Sequence, residues 1–281
     1  SKMIGQELVK STISKWKQLP KFIIVEGEMG SGRKTLIRYI ASKFDADSIV
    51  VGTSVDDIRN IIQDAQTIFK ARIYVIDGNS LSMSALNSLL KIAEEPPLNC
   101  HIAMTVDSIN NALPTLASRA KVLTMLPYTN KEKFLFVKSY KKVDTSGIDD
   151  RAIVDYCNLA SNLQMLEDIL EYGAEALFEK VTTFYDLIWE ASASNSLKVT
   201  NWLKFKETDE GKIEPKLFLN CLLNWSTVVI RKHYLEMSFE ELEAHDLLVR
   251  EASRCLRKVS KKGSNARVCV NEFIRRVKQV E

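Results

Sequence analysis

Phe22-Ile-Ile-Val-Glu-Gly27-Glu-Met-Gly30-Ser-Gly32-Arg33-Lys34-Thr35-Leu36 reads as a strand, a glycine-rich turn and the start of a helix. In that context the backbone amides around Gly30 to Lys34 and the positive end of the following helix face an anion, so the stretch has the form of a phosphate cradle. The ordinary pattern is GxxxxGK[ST]. Counting from Gly27 puts Gly32 in register, Arg33 where the lysine belongs and Lys34 where a Mg²⁺-binding hydroxyl belongs. A planar guanidinium does not replace a compact ammonium between two phosphates, and a charged lysine does not bind Mg²⁺. Three readings stay open: a bulge that brings Lys34 and Thr35 into the working positions, a structural turn without nucleotide, and nucleotide binding without hydrolysis.

Around this stretch, short apolar runs alternate with helical patterns, which predicts a parallel sheet covered by helices on both faces. Five strands are expected, over Phe22 to Glu26, Ser48 to Val51, Ile73 to Asp77, His101 to Val106 and Lys121 to Leu126, each rich in β-branched or aromatic residues. Ser54 with Asp57 three residues on opens a helix expected to bury Ile58, Ile61, Ile62, Ala65 and Phe69. A second helix starts near Ser82, buries Leu86, Leu89, Leu90 and Ala93, and is stopped by Pro96 and Pro97. After Pro127 the pattern is helical throughout, with breaks expected at Thr208 to Gly211 and Lys261 to Ser264. The predicted organisation is an α/β domain over 1–127, a small helical lid over 128–174 and a larger all-helical domain over 175–281.

The third strand ends in Asp77, placed as a carboxylate near Mg²⁺ would be; on its own it also reads as a strand-end cap. In hydrolysing proteins with this loop the next residue is a glutamate that polarises water, and here it is Gly78. Losing such a base removes a rate factor of about 10² to 10⁴.

With 281 residues, 46% hydrophobic and 27% charged, the composition is that of a folded multidomain protein and excludes fibrous and disordered classes. No apolar run approaches a membrane span and the N-terminal residues lack a leader pattern, so neither membrane insertion nor export is expected. Five scattered cysteines without a CxxC pair argue against a disulfide framework and a metal site, and fit a reducing cytoplasm. The net charge of +3 is unevenly distributed: from Asp246 onward ten Lys/Arg face four acids, which fits a solvated helix face, an acidic protein surface or phosphate.

Four stretches, in this order, resemble the AAA+ clamp-loader subunits of replication machinery, and among them the delta-prime type of DNA polymerase III. They are Ile4-Gly5-Gln6-Glu7, Leu86-Asn-Ser-Leu-Leu-Lys91-Ile-Ala-Glu-Glu95-Pro96-Pro97, Ile102-Ala-Met-Thr105 and Ser118-Arg119-Ala120. The resemblance covers roughly residues 3 to 175. It implies a P-loop AAA+ five-stranded parallel sheet, a helical lid and a C-terminal collar for oligomerisation. It places Gly27, Gly30, Gly32, Arg33, Lys34, Thr35, Asp77 and Thr105 at a degenerate nucleotide site, with Thr105 as the residue that senses a γ-phosphate. Arg119 is the implied arginine finger, acting in trans on a neighbour's ATP.

The implied partners are clamp-loader ATPase subunits in a hetero-oligomer, a sliding clamp and, through the complex, primer-template DNA. No cofactor is required in the chain's own site, although ATP or ADP binding without hydrolysis is compatible with it. Ala120 stands where the family has cysteine, Gln164 where active relatives carry a second sensor arginine, and no cysteine cluster is present for a zinc module. These departures suggest a divergent or phage-derived member. They predict a partner-binding subunit; the competing readings are an active motor ATPase using Lys34 and Thr35, and a DNA-binding protein whose basic C-terminal helices sit on a degenerate scaffold.

Overall fold

The computed structural model describes residues 3–190 and 214–278. The chain divides into two compact units, Ser1–Tyr128 and Thr129–Glu281.

In the first unit five strands, β1 (Phe22–Glu26), β2 (Asp47–Val50), β3 (Arg72–Asp77), β4 (Cys100–Val106) and β5 (Lys121–Thr124), form one sheet in the order β2-β3-β4-β1-β5. Every pairing is parallel. The helices are α1 (Glu7–Ser14), α2 (Arg33–Lys43), α3 (Val55–Thr67), α4 (Met83–Glu94) and the short α5 (Pro114–Ala117).

Because side chains alternate across a strand, each sheet face collects its own core. Phe22, Ile24, Tyr74, Ile76, Ile102 and Met104 pack with Ile58 and Ile61 of α3 and Leu86 and Leu89 of α4. Ile23, Val25, Ile73, Val75 and Ala103 pack with Ile13 of α1 and Leu36, Ile37 and Ile40 of α2. This layering leaves the carboxyl ends of β1, β3 and β4 side by side, where the loops that carry chemistry begin.

The α3 cap is as the sequence reads: the Ser54 side chain accepts from the Asp57 amide, and the Asp57 carboxylate accepts from the Ser54 amide at 3.1 Å. Its buried face is narrower than expected. The helix ends at Thr67, Ile68 turns extended, and Phe69, expected inside, is wholly exposed. Ile62 lies at the edge of the stripe and is 39% exposed. In α4 the buried positions are Ala85, Leu86, Leu89 and Ile92, while Leu90 and Ala93 are only partly covered.

β5 stops at Thr124, two residues short of the expected end, because a side chain takes over the ladder. Gln6 donates from Nε2 to the Leu126 carbonyl at 2.7 Å and accepts from the Leu126 amide at 2.9 Å. Its own backbone sits at φ 62, a left-handed conformation that a non-glycine residue holds only when its surroundings fix it. Gln6→Ala leaves both Leu126 groups unpaired at a position where the glutamine was 3% exposed. The expected cost is about 1–3 kcal/mol, read from the urea midpoint.

The second unit is helical: α6 (Asn130–Ser139), α7 (Asp150–Leu159), α8 (Leu163–Tyr172), α9 (Ala174–Glu190), α10 (Pro215–His233), α11 (Phe239–Val259) and α12 (Ala266–Val277). One apolar core runs from Val137 to Val277 and spans the expected division between lid and collar at 174/175. The apolar stripe of α10 serves this core, with Leu217, Leu219 and Leu222 buried and Trp225 against Phe178 edge to face at 5.3 Å.

The break at 261–264 is a turn between α11 and α12, and the one at 208–211 lies outside the described residues. Among the described residues no helix is long and apolar enough to cross a membrane. The cysteines are free thiols, four of them buried. Burial pushes the Cys100 and Cys157 thiols up to about 11 and Cys255 to about 12, away from nucleophilic thiolate chemistry at neutral pH.

Candidate functional site

The glycine loop joins β1 to α2 as the sequence predicts. The Gly27 amide donates to the Val106 carbonyl at 3.0 Å, tying the loop's start to the end of β4. Gly32 caps α2 at φ 91, a conformation that glycine adopts without a Cβ penalty. A Cβ there would stand 3.0 Å from the Tyr128 hydroxyl oxygen, and that hydroxyl donates to the Ser31 carbonyl at 3.0 Å. The first turn of α2 is regular: it begins at Arg33, with the Leu36 amide bonded to the Gly32 carbonyl at 2.9 Å. No extra residue shifts Lys34 and Thr35 along the loop; Lys34 is exposed and Thr35 partly covered.

Arg33 turns to protein. Its Nη1 meets Asp107 Oδ1 at 2.6 Å, and the arginine side chain is 11% exposed. Asp107 directly follows β4, and its amide donates to Asn79 Oδ1 at 3.1 Å. Asn79 in turn donates to the Asp77 carboxylate from its amide at 3.2 Å and from Nδ2 at 3.3 Å, while Ser80 donates to the other carboxylate oxygen at 3.0 Å. A hydrogen-bonded chain therefore runs Asp77, Asn79, Asp107, Arg33 across the ends of β3, β4 and the start of α2. Asp77 caps the turn at Gly78–Ser80, as the simpler of its two sequence readings has it.

Gly78 is buried, and a Cβ built there would lie 2.8 Å from both Met104 Cγ and Val106 Cγ1. That leaves no room for a glutamate without moving β4 side chains. Thr105, expected as a phosphate sensor, is 2% exposed and directs its hydroxyl to the Ile76 carbonyl at 3.4 Å. It stands one residue from the carboxyl end of β4, paired with Val25 on one side and Asp77 on the other. Glu26 closes the other side, accepting from the Ile109 amide at 2.8 Å and the Thr124 hydroxyl at 2.9 Å.

Arg119 stands apart from the loop. It follows α5, where Pro114 at the first position presets the helical φ. Its Nη1 donates to the Thr115 carbonyl at 2.9 Å and its Nη2 to Glu94 Oε1 at 3.0 Å, with 41% of the side chain exposed. In the helical unit, Gln164 lies in the first turn of α8 and donates to Asp168 at 3.1 Å and Glu167 at 3.4 Å.

The basic C-terminal region is partly neutralised within its own unit. Arg250 pairs with Asp246 at 2.9 Å, Lys258 with Glu272 at 2.6 Å and Arg276 with Glu272 at 2.9 Å.

Sequence reasoning missed Asp107, Asn79, Glu26 and the Gln6 clasp. For Asp107 a signal existed: an acid immediately after a central strand, in a chain whose loop carries arginine in place of lysine.

A parallel sheet in the order β2-β3-β4-β1-β5, with the glycine loop leaving β1 and a helical unit after it, defines the P-loop AAA+ class. Residues 18–129 match the family model described as DNA polymerase III, delta subunit. It is 24% identical over 263 residues to DNA polymerase III subunit gamma of Buchnera aphidicola subsp. Schizaphis graminum, covering 79% of this chain and 70% of the relative. It is 30% identical over 139 residues to DNA polymerase III subunit delta' of Haemophilus influenzae, covering 48% of this chain but 40% of that protein. Both relatives are bacterial and lend no support to a phage origin. Among solved structures, the RuvB Holliday junction branch migration motor of Thermotoga maritima superposes with TM-score 0.53 at 18% identity, covering 85% of this chain and 86% of RuvB. That likeness shows the fold alone.

Proposed function

We propose that this chain is a delta-prime-type clamp-loader subunit that assembles with ATPase subunits, hydrolyses no ATP itself, and supplies Arg119 to a neighbour's ATP while a sliding clamp is placed on primer-template DNA. The family match and the gamma and delta' relatives support the clamp-loader class. One contrast carries the finer reading. Arg33, at the lysine position, is held by Asp107 at 2.6 Å, whereas Arg119 keeps 41% of its side chain open to solvent. The cradle's cation is occupied by protein and the finger's cation is presented.

The packed Gly78 supports the same reading, because water activation needs a carboxylate where Met104 and Val106 leave no space. The regular first turn of α2 speaks against a motor ATPase that works through Lys34 and Thr35. Ion pairing in the C-terminal helices speaks against a DNA-binding role carried by their charge alone. The chain needs no nucleotide in its own site on this reading, and its place is the cytoplasm, beside replicating DNA.

Native mass spectrometry of the chain mixed with clamp-loader ATPase subunits tests the assembly, with a hetero-oligomer as the expected species. Assayed without those subunits, the isolated chain releases no phosphate from Mg-ATP above background. A chain that stays monomeric in the mixture, or that turns over ATP alone, contradicts the reading.

A further inference from the structure

α4 ends in two acids, Glu94 and Glu95, just before Pro96 and Pro97. A carboxylate in the last turn of a helix stands against the negative end of the backbone dipole, so it adds nothing to that helix by itself. Glu94 is compensated from elsewhere in the fold: its Oε1 accepts from Arg119 Nη2 at 3.0 Å, across 25 residues of sequence. The other guanidinium nitrogen, Nη1, donates to the Thr115 carbonyl at 2.9 Å.

A guanidinium has five N–H donors in a rigid plane. Two of them are held by groups of this chain and three remain, on a side chain that is 41% exposed. The arrangement differs from that of Arg33, whose own side chain is only 11% exposed beside Asp107.

We propose that Glu94 is a positioning residue for Arg119: with the Thr115 carbonyl it fixes one side of the guanidinium plane, so that the remaining donors are presented to the phosphoryl group of a neighbouring subunit's ATP. The inference rests on the reading of Arg119 as a finger in trans. An arginine on a free stem loses rotamer freedom when it docks on a phosphate, and holding it beforehand removes that loss from the barrier. The ion pair is half-exposed, and such pairs contribute little to folding. Its value therefore lies in orientation, and its removal leaves the fold intact.

The test uses the complex reconstituted with ATPase subunits, clamp and primer-template DNA, reading kcat and KM for ATP. Glu94→Gln is expected to lower DNA-stimulated kcat by about three- to tenfold with KM for ATP unchanged. The melting temperature of the isolated chain stays within about 2 °C. Glu94→Asp keeps the charge and recovers part of the rate. In an Arg119→Ala background, Glu94→Gln has no further effect, since the group it orients is gone.

An equal loss in both backgrounds overturns the proposal, because the effect then does not pass through Arg119. So does a wild-type rate in Glu94→Gln when Arg119→Ala alone is strongly impaired. If Arg119→Ala itself turns over normally, the finger reading fails, and the role of Glu94 with it.

Discussion

Arg119→Ala is expected to reduce ATP turnover at the interface it serves by about 10³-fold or more, with little change in the stability of the chain or in assembly. A finger of this kind neutralises charge that builds on the transferring phosphoryl oxygens, and it does so where water is excluded and the interaction is strong. Arg119 has the features this needs: a short helix, α5, to place it, two contacts to its own chain at 2.9 and 3.0 Å, and 41% of its side chain free to meet a neighbour. Losing a half-exposed ion pair with Glu94 costs the fold little. The readout is phosphate release by the reconstituted, DNA-bound complex, with native mass spectrometry on the same sample to show that the complex still forms. Arg119→Lys is expected to recover only part of the rate, because a point charge lacks the planar fork.

Gly78→Glu, which writes the water-activating acid back into the motif, is expected to create no ATPase. The new Cβ would stand 2.8 Å from Met104 Cγ and from Val106 Cγ1, inside a core shared with Ile76 and Ile102. Overpacking of that kind costs about 1–3 kcal/mol, and a carboxylate at the edge of an apolar core adds to it. The urea midpoint of the variant falls accordingly, and phosphate release from Mg-ATP by the isolated chain stays at background. Combining it with Arg33→Lys leaves the Asp107 carboxylate at the cradle, which repels phosphate. Turnover in the double variant would mean that only two side chains separate this site from a working one.

The layers of the fold were readable because they follow from short-range patterns. The short apolar runs in Phe22–Glu26 and Arg72–Asp77 mark strands buried on both faces, and Ser54 with Asp57 three residues on marks the cap of α3. The periodic argument overran where a helix ended early. Phe69 continues the apolar spacing of α3 on paper, but the backbone has left the helix at Ile68.

The site was legible as a set of replaced residues, and far less so as a set of partners. Arg33 was marked as the wrong cation for phosphate; that it would be claimed by Asp107, 74 residues away, depends on β4 lying beside β1 in the sheet. Gln6 and Leu126 are 120 residues apart and meet through a side-chain amide standing in for a strand. Thr105 carries two readings at once. Its place in the motif suggests a phosphate contact, while its hydroxyl bonds within the sheet at 2% exposure, a partner that the motif alone does not show. Long-range hydrogen bonds leave no local periodicity in sequence, so they escape a reading built on spacing.

What this chain contributes to ATP hydrolysis is settled most directly by one paired assay on the reconstituted, DNA-stimulated complex, with Arg119→Ala in one sample and Lys34→Ala in the other. Turnover that collapses with Arg119→Ala and persists with Lys34→Ala is the predicted result. The reverse pattern, with Lys34 indispensable and Arg119 neutral, would contradict it and make this chain a motor in its own right.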